Sequence, residues 1–300
     1  MNNTIKTSLK NSLYTAQNIA KHKSKIPMRL PAFRGSGLPI CNRLYVLSHI
    51  LMKTSNKALC SPSASPYRDY FLEEGTLIHK LLQRWLGLAG VLYGRWGCQN
   101  PNCKDYVGTL VKENRLPEPR LNSGFCCGLP RDYIEFEIKY KGFSGHIDGI
   151  LYTKNLWILC DFKTSNKAGN DIIEIPDNYF HQLNSYYYYV IKNLKKLNIP
   201  RIDKTSIFFV PRDYYFLNPS KWTIQDIIPD KSLWVRDFNN FKASEKCLKK
   251  KSLKLFKEFD IPDKELCSNK YETCWLIDVC HSDKEKELVK NMFKEFKGRK

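Results

Sequence analysis

A mixed α/β domain is expected from the order of elements in this sequence: a helix, three strands, a helix, a strand and a helix. Two stretches carry that expectation. Residues 71–92 (FLEEGTLIHKLLQRWLGLAGVL) repeat apolar side chains at helical spacing, and residues 133–140 (YIEFEIKY) alternate as a half-buried strand does. A third is the pair GHIDGILY and LWILCDFKT, separated by the turn-like Thr153-Lys154-Asn155, which predicts a β-hairpin.

The remaining elements follow in order. Residues 1–30 are weakly patterned, and a basic, flexible arm is expected there. Residues 38–53 have helical spacing, and the Ser/Pro stretch from Ser61 to Pro66 is a loop. From Trp96 to Pro130 neither periodicity survives among the cysteines, prolines and glycines, so 96–130 is expected to be an insertion within a domain spanning 31–300. An aromatic-rich helix is predicted over 178–197, a strand over 205–210, and a Lys-rich helical region over 222–258. A cysteine tail at 267–280 precedes a charged terminal helix.

The net charge of +19 favours a polyanionic partner, and nucleic acid ahead of an acidic membrane surface, since no basic amphipathic helix of the membrane-binding kind stands out. No run of 18 apolar residues occurs, which argues against a transmembrane helix. Residues 1–40 hold seven Lys/Arg and no Asp or Glu. A targeting peptide or an arm laid along DNA would both have that charge. The eleven cysteines follow no secretory signal, so a reducing compartment, the cytoplasm, is expected, with clustered thiols as metal ligands rather than disulfides. Cys98, Cys103, Cys126 and Cys127 fall together in the coreless insertion and suggest a tetrahedral zinc site. The alternatives are one idle member of the adjacent Cys126–Cys127 pair, or a loop with free thiols.

The chemistry centres on the hairpin. Its turn brings Asp148 roughly opposite positions 160–161, and Asp161 and Lys163, two apart on a strand, point the same way. Two carboxylates and an ammonium then converge at a sheet edge, an arrangement that a divalent cation would relieve, Mg²⁺ being a hard ion that prefers oxygen ligands. By itself D-x-K is a common salt bridge. The GHIDG sequence around Asp148, His79 on the amphipathic helix, and Gln182 and Tyr186 at i and i+4 of the next helix add to it.

In that order, GTLIHK, GHIDGIL, DFKTS and QLNSYYYY resemble the motif series of the RecB-like branch of the PD-(D/E)XK nucleases. The similarity is greatest to the iron–sulfur RecB-like exonucleases of CRISPR adaptation and related phage proteins. It implies a restriction-endonuclease-like core, a central mixed sheet flanked by helices, and a Mg²⁺- or Mn²⁺-dependent deoxyribonuclease acting on single strands or duplex ends beside recombination or replication proteins. A phage origin would place it in the host cytoplasm. By the resemblance, Asp148, Asp161, His79 and the Phe162 carbonyl would bind the metal. Lys163 would assist the attacking water, and Gln182 and Tyr186 would steady the lysine and the DNA backbone. It further implies a [4Fe–4S] cluster on Cys41, Cys267, Cys274 and Cys280. The tail spacing here, six residues and then five between cysteines, departs from the family's two and five at its first gap, which bears on Cys267. Structural zinc at the same place, or no metal, are the alternatives. A nuclease fold that binds DNA without cutting is the second functional expectation; its mark would be loss of Asp148, Asp161 or Lys163, and all three are present.

Overall fold

The structure is a computed structural model and describes residues 33–34, 41–54, 66–165, 174–212, 217–259, 268–269, 272–273 and 285–298. Its helices are α1 (Asn42–Thr54), α2 (Pro66–Leu88), α3 (Val107–Lys112), α4 (Asp177–Leu197), α5 (Lys231–Lys250), α6 (Leu253–Lys257) and α7 (Glu285–Gly298). The strands are β1 (Phe33–Arg34), β2 (Leu92–Tyr93), β3 (Arg95–Gly97), β4 (Phe125–Cys126), β5 (Leu129–Pro130), β6 (Asp132–Ile134), β7 (Phe136–Tyr140) and β8 (Phe143–Ile147). They continue with β9 (Gly149–Thr153), β10 (Leu156–Ser165), β11 (Lys204–Pro211), β12 (Thr223–Asp226), β13 (Ser268–Asn269) and β14 (Glu272–Thr273). Among the described residues no helix is long and apolar enough to cross a membrane.

The chain divides into two compact units, one of Met1–Ala32, Ile40–Tyr70 and Phe238–Lys300, the other of Phe33–Pro39 and Phe71–Asp237. The first is helical where described, apart from the short ribbon β13–β14. Val46, Leu47 and Ile50 of α1 are buried, as are Val289, Phe293 and Phe296 of α7 and Phe256 of α6. Full burial of a Leu, Ile or Phe stabilises by roughly 1.5–3 kcal/mol. The Arg43 guanidinium lies 4.5 Å from the centre of the Phe256 ring, so that its charge rests on an aromatic face.

The second unit is α/β. Its five-stranded sheet has the order β12-β11-β10-β9-β2, with β10 and β11 parallel and every other pair antiparallel. A separate three-stranded sheet has the order β1-β8-β7. Helices flank the central sheet. Ile78 and Leu82 of α2 pack with Leu151, Cys160, Phe162, Phe208 and Val210 on one face. Because strand side chains alternate, Asp161 and Lys163 face the other way, toward α4.

Several expectations change in detail. The predicted helix 71–92 stops at Leu88, where Gly90 takes φ +72° and the Gly90 and Val91 amides fold back on the Gly87 and Leu86 carbonyls. A left-handed residue of this kind ends a helix, and the chain then enters β2. The run 133–140 splits at Glu135, because β6 pairs with β3 while β7 pairs with β8. GHIDGILY divides at Asp148, its first half in the three-stranded sheet and its second in the five-stranded one. The hairpin β9–β10 turns through Lys154 (φ +49°) and Asn155 (φ +63°), the left-handed pair a two-residue loop requires. Thr223–Asp226, expected to be helical, is instead the edge strand β12. The insertion contains the short helix α3 and the small ribbons β3–β6 and β4–β5.

α2 and the insertion meet at a glycine. A Cβ on Gly87 would overlap the ring of Trp96, which is buried and donates its indole N–H to the Arg120 carbonyl at 3.1 Å. Gly87→Ala should therefore destabilise the protein by about 1–3 kcal/mol, the range for an overpacked core, read as a lower urea midpoint at unchanged slope. An unchanged midpoint would show that the ring moves freely.

Candidate active site

The residues brought together come from three directions: α2, the junction between the two sheets, and the α4 side of β10. Asp148 belongs to neither β8 nor β9 and sits where the chain passes from one sheet to the other. Its Oδ2 accepts the Phe162 backbone N–H at 2.9 Å, which fixes the junction against β10 at the position next to the Gly149–Cys160 pair. The His79 Nδ1 atom lies 3.7 Å from the same oxygen.

Asp161 is fully buried on β10. The Lys163 ammonium is 2.6 Å from its Oδ2, and Gln182 of α4 closes a triangle. The Gln182 carbonyl accepts from Lys163 Nζ at 3.1 Å, while its amide reaches Asp161 Oδ1 at 3.2 Å and the Tyr186 hydroxyl at 3.1 Å. Lys163 also lies over the Tyr179 ring, 4.7 Å from its centre. Tyr186 needs Gly145 beneath it, since a Cβ there would stand 2.7 Å from the ring. The expected set His79, Asp148, Asp161, Lys163, Gln182 and Tyr186 is thus assembled. Phe162 contributes its amide to Asp148, and its side chain is core.

The electrostatics are those of two acids held close out of water. Burial, then the Asp161 charge, pushes the Asp148 carboxyl well above the usual carboxylate range. Burial pulls Lys163 down, but the Asp161 and Asp148 charges outweigh it, so the ammonium is held more firmly than usual. Burial lowers His79 to about 4, leaving a neutral imidazole at neutral pH that is able to ligate a metal. A buried carboxylate met by one ammonium, beside a second carboxylate and a neutral imidazole, is a donor set that fits a hard divalent cation.

Two residues of this neighbourhood escape the sequence reading. Gln83, 4% exposed, donates to Glu135 Oε1 at 3.1 Å and to the Asp148 carbonyl at 3.0 Å. Thus α2 holds position 148 twice, with His79 at its carboxylate and Gln83 at its backbone. The spacing of four between them was legible as a shared helix face. Glu135 was not, since its neighbours are set by the break between β6 and β7.

The insertion forms a second centre. The sulfur atoms of Cys98, Cys103, Cys126 and Cys127 all lie within 4.8 Å of one another and could hold a metal ion. Cys41 is half-buried and precedes α1, its carbonyl accepting from the Tyr45 amide. Cys267, Cys274 and Cys280 lie outside the described residues, as does the arm 1–30.

Asp148 supplies a pH-dependent prediction. A carboxyl whose folded pKa is raised weakens the fold as pH climbs from the unfolded value, near 4, toward the folded one. Asp148→Asn keeps the acceptor for the Phe162 amide and should melt higher than wild type in chelator at pH 7–8, by about 2–4 °C per kcal/mol relieved, with the gap closing by pH 4. Mn²⁺ should raise the wild-type Tm and do less for the variant. Gln83→Leu leaves the Asp148 carbonyl unpaired and should cost about 1–3 kcal/mol by urea unfolding. Equal stability would remove Gln83 from the site's support.

No known protein family and no curated protein matches the sequence. Among solved structures, the crystal structure of SSO0001 aligns over 79% of this chain and 86% of that chain, at 10% identity and a TM-score of 0.36.

Proposed function

We propose that this protein is a metal-dependent deoxyribonuclease with a PD-(D/E)XK-type core, hydrolysing phosphodiester bonds in DNA ends or single strands during recombination or repair. The observation that carries the reading is the Asp161–Lys163–Gln182 triangle set beside Asp148 and His79. The net charge of +19 supports a polyanionic substrate. Recombination or replication proteins are the partners this reading implies.

Asp148, Asp161, His79 and the Phe162 carbonyl would hold Mg²⁺ or Mn²⁺. Bound there, such an ion would polarise the phosphate and acidify a water. Lys163 is the cation of the site, kept protonated by the two carboxylates. It would orient the attacking water and offset charge growing on the phosphate oxygens. Gln182 fixes where that charge sits, since its carbonyl holds the ammonium and its amide holds Asp161. The Tyr186 hydroxyl fixes Gln182 in turn. In this reading a [4Fe–4S] cluster on Cys41, Cys267, Cys274 and Cys280 completes the protein.

The test is cleavage of end-labelled single-stranded and duplex DNA, free or blocked at each end, with Mg²⁺ or Mn²⁺ and the full chain. Wild type should cut. Lys163→Ala should lose about 10²–10³-fold in rate, and Asp161→Asn should fall to background, with DNA affinity retained in both. DNA binding without cleavage by the wild type would favour the binding-module reading, and near-wild-type rates in either variant would overturn the site.

A further inference from the structure

The cysteine cluster at 98–127 plays no part in the reading above, and its geometry is specific. We infer that Cys98, Cys103, Cys126 and Cys127 together bind one zinc ion as a mononuclear, tetrahedral, four-thiolate centre that staples the insertion. Three observations carry this, all independent of the nuclease reading.

The first is spacing. Four thiolates about 2.3 Å from one ion at tetrahedral corners stand about 3.8 Å apart. Here Cys103 and Cys126 Sγ are 3.7 Å apart, Cys126 and Cys127 Sγ 4.0 Å, and all four within 4.8 Å. A cubane spreads its four thiolates roughly 6 Å apart, because four irons lie between them. The cluster is too tight for iron–sulfur and the right size for a single ion.

The second is how two adjacent cysteines reach one point. On an extended strand, neighbours diverge to opposite faces. Cys127 is not extended: with φ +53°, followed by Gly128 at +76°, it forms the two-residue loop joining β4 to β5. The left-handed turn brings its sulfur back beside that of Cys126. On the other side, the loop from Cys98 to Tyr106 closes on itself, with the Cys98 amide on the Asp105 carbonyl at 2.7 Å and the Val107 amide on the Cys98 carbonyl at 2.9 Å. It aims backbone donors at two of the sulfurs, Asn100 N–H at Cys98 and Asp105 N–H at Cys103, each at 3.4 Å. The loop backbone thereby fixes the position of two of the four ligand atoms.

The third is the poverty of the local core. Between 98 and 131 only Cys98, Leu110 and Ser123 are buried, too little to order a segment of that length. An ion bound to Cys98 and Cys126/Cys127 closes the loop by another route. It also lies at one end of the β3–β6 ribbon, beyond the Gly97–Asp132 pair, whose other end leads to Glu135. Asp132 is held from both sides there, by Arg84 at 3.1 Å and Gln99 at 2.9 Å.

The full chain, purified under reducing conditions, should be analysed for zinc and iron, and its zinc release followed with a metallochromic dye as an organomercurial titrates the thiols. One zinc per chain should leave as the cluster's thiols react. Co²⁺ exchanged into the site should give the intense visible absorption of a tetrahedral thiolate complex. Cys103→Ser and Cys127→Ser should each weaken zinc by more than about tenfold and bleach the cobalt band. Cys127, exposed on its turn, is the variant least exposed to misfolding, and the mercurial titration needs no variant at all. Absence of zinc from the wild type, or iron lost on Cys103→Ser, would overturn the zinc centre. Full zinc content and an unchanged cobalt spectrum in Cys127→Ser would overturn the four-thiolate assignment.

Discussion

Everything in the α/β unit is arranged around the burial of one carboxylate on the central strand. A charge at Asp161, fully enclosed, is tolerable only where opposite charge and hydrogen bonds meet it. Lys163 supplies the charge from two positions along the same strand, and Gln182 supplies the amide from α4. That requirement fixes the register of β10: one step of slip would carry Asp161 into the apolar face with Cys160 and Phe162. It also explains why α4 presents Gln182 and Tyr186, both buried, toward the sheet where an ordinary amphipathic helix would place leucines.

The same interaction leaves a residue of unmet demand. Lys163 neutralises one carboxylate, while Asp148 remains beside it with its carboxyl pushed upward. With both acids ionised, two carboxylates, one ammonium and a neutral imidazole form a set short of one positive charge. A site short of positive charge attracts a cation, and this is the physical content of the nuclease proposal, apart from any likeness of motifs.

Much of this was legible in the sequence, because it rests on local periodicity. Alternation along 156–163 places Asp161 and Lys163 together, the turn at Thr153-Lys154-Asn155 sets Asp148 against them, and helical spacing pairs Gln182 with Tyr186. The features that were missed depend on which strands pair. The split of 133–140 at Glu135 and of GHIDGILY at Asp148 arises because consecutive strands join different sheets, which no local pattern encodes. Thr223–Asp226 forms a strand only because β11 offers it an edge. Alternation along a strand would send adjacent side chains such as Cys126 and Cys127 to opposite faces, and a left-handed turn removes that constraint.

The position of Asp148 between two sheets bears on when the site comes into being. Its neighbours in the constellation lie at 79, 161–163 and 182–186, so the carboxylates, the ammonium and the imidazole meet only after α2, both sheets and α4 have docked. Contacts this distant in sequence form late, once the loops between them have closed. A chain still emerging or only partly folded holds these groups apart. Whatever chemistry needs all of these groups together therefore waits on the completed fold.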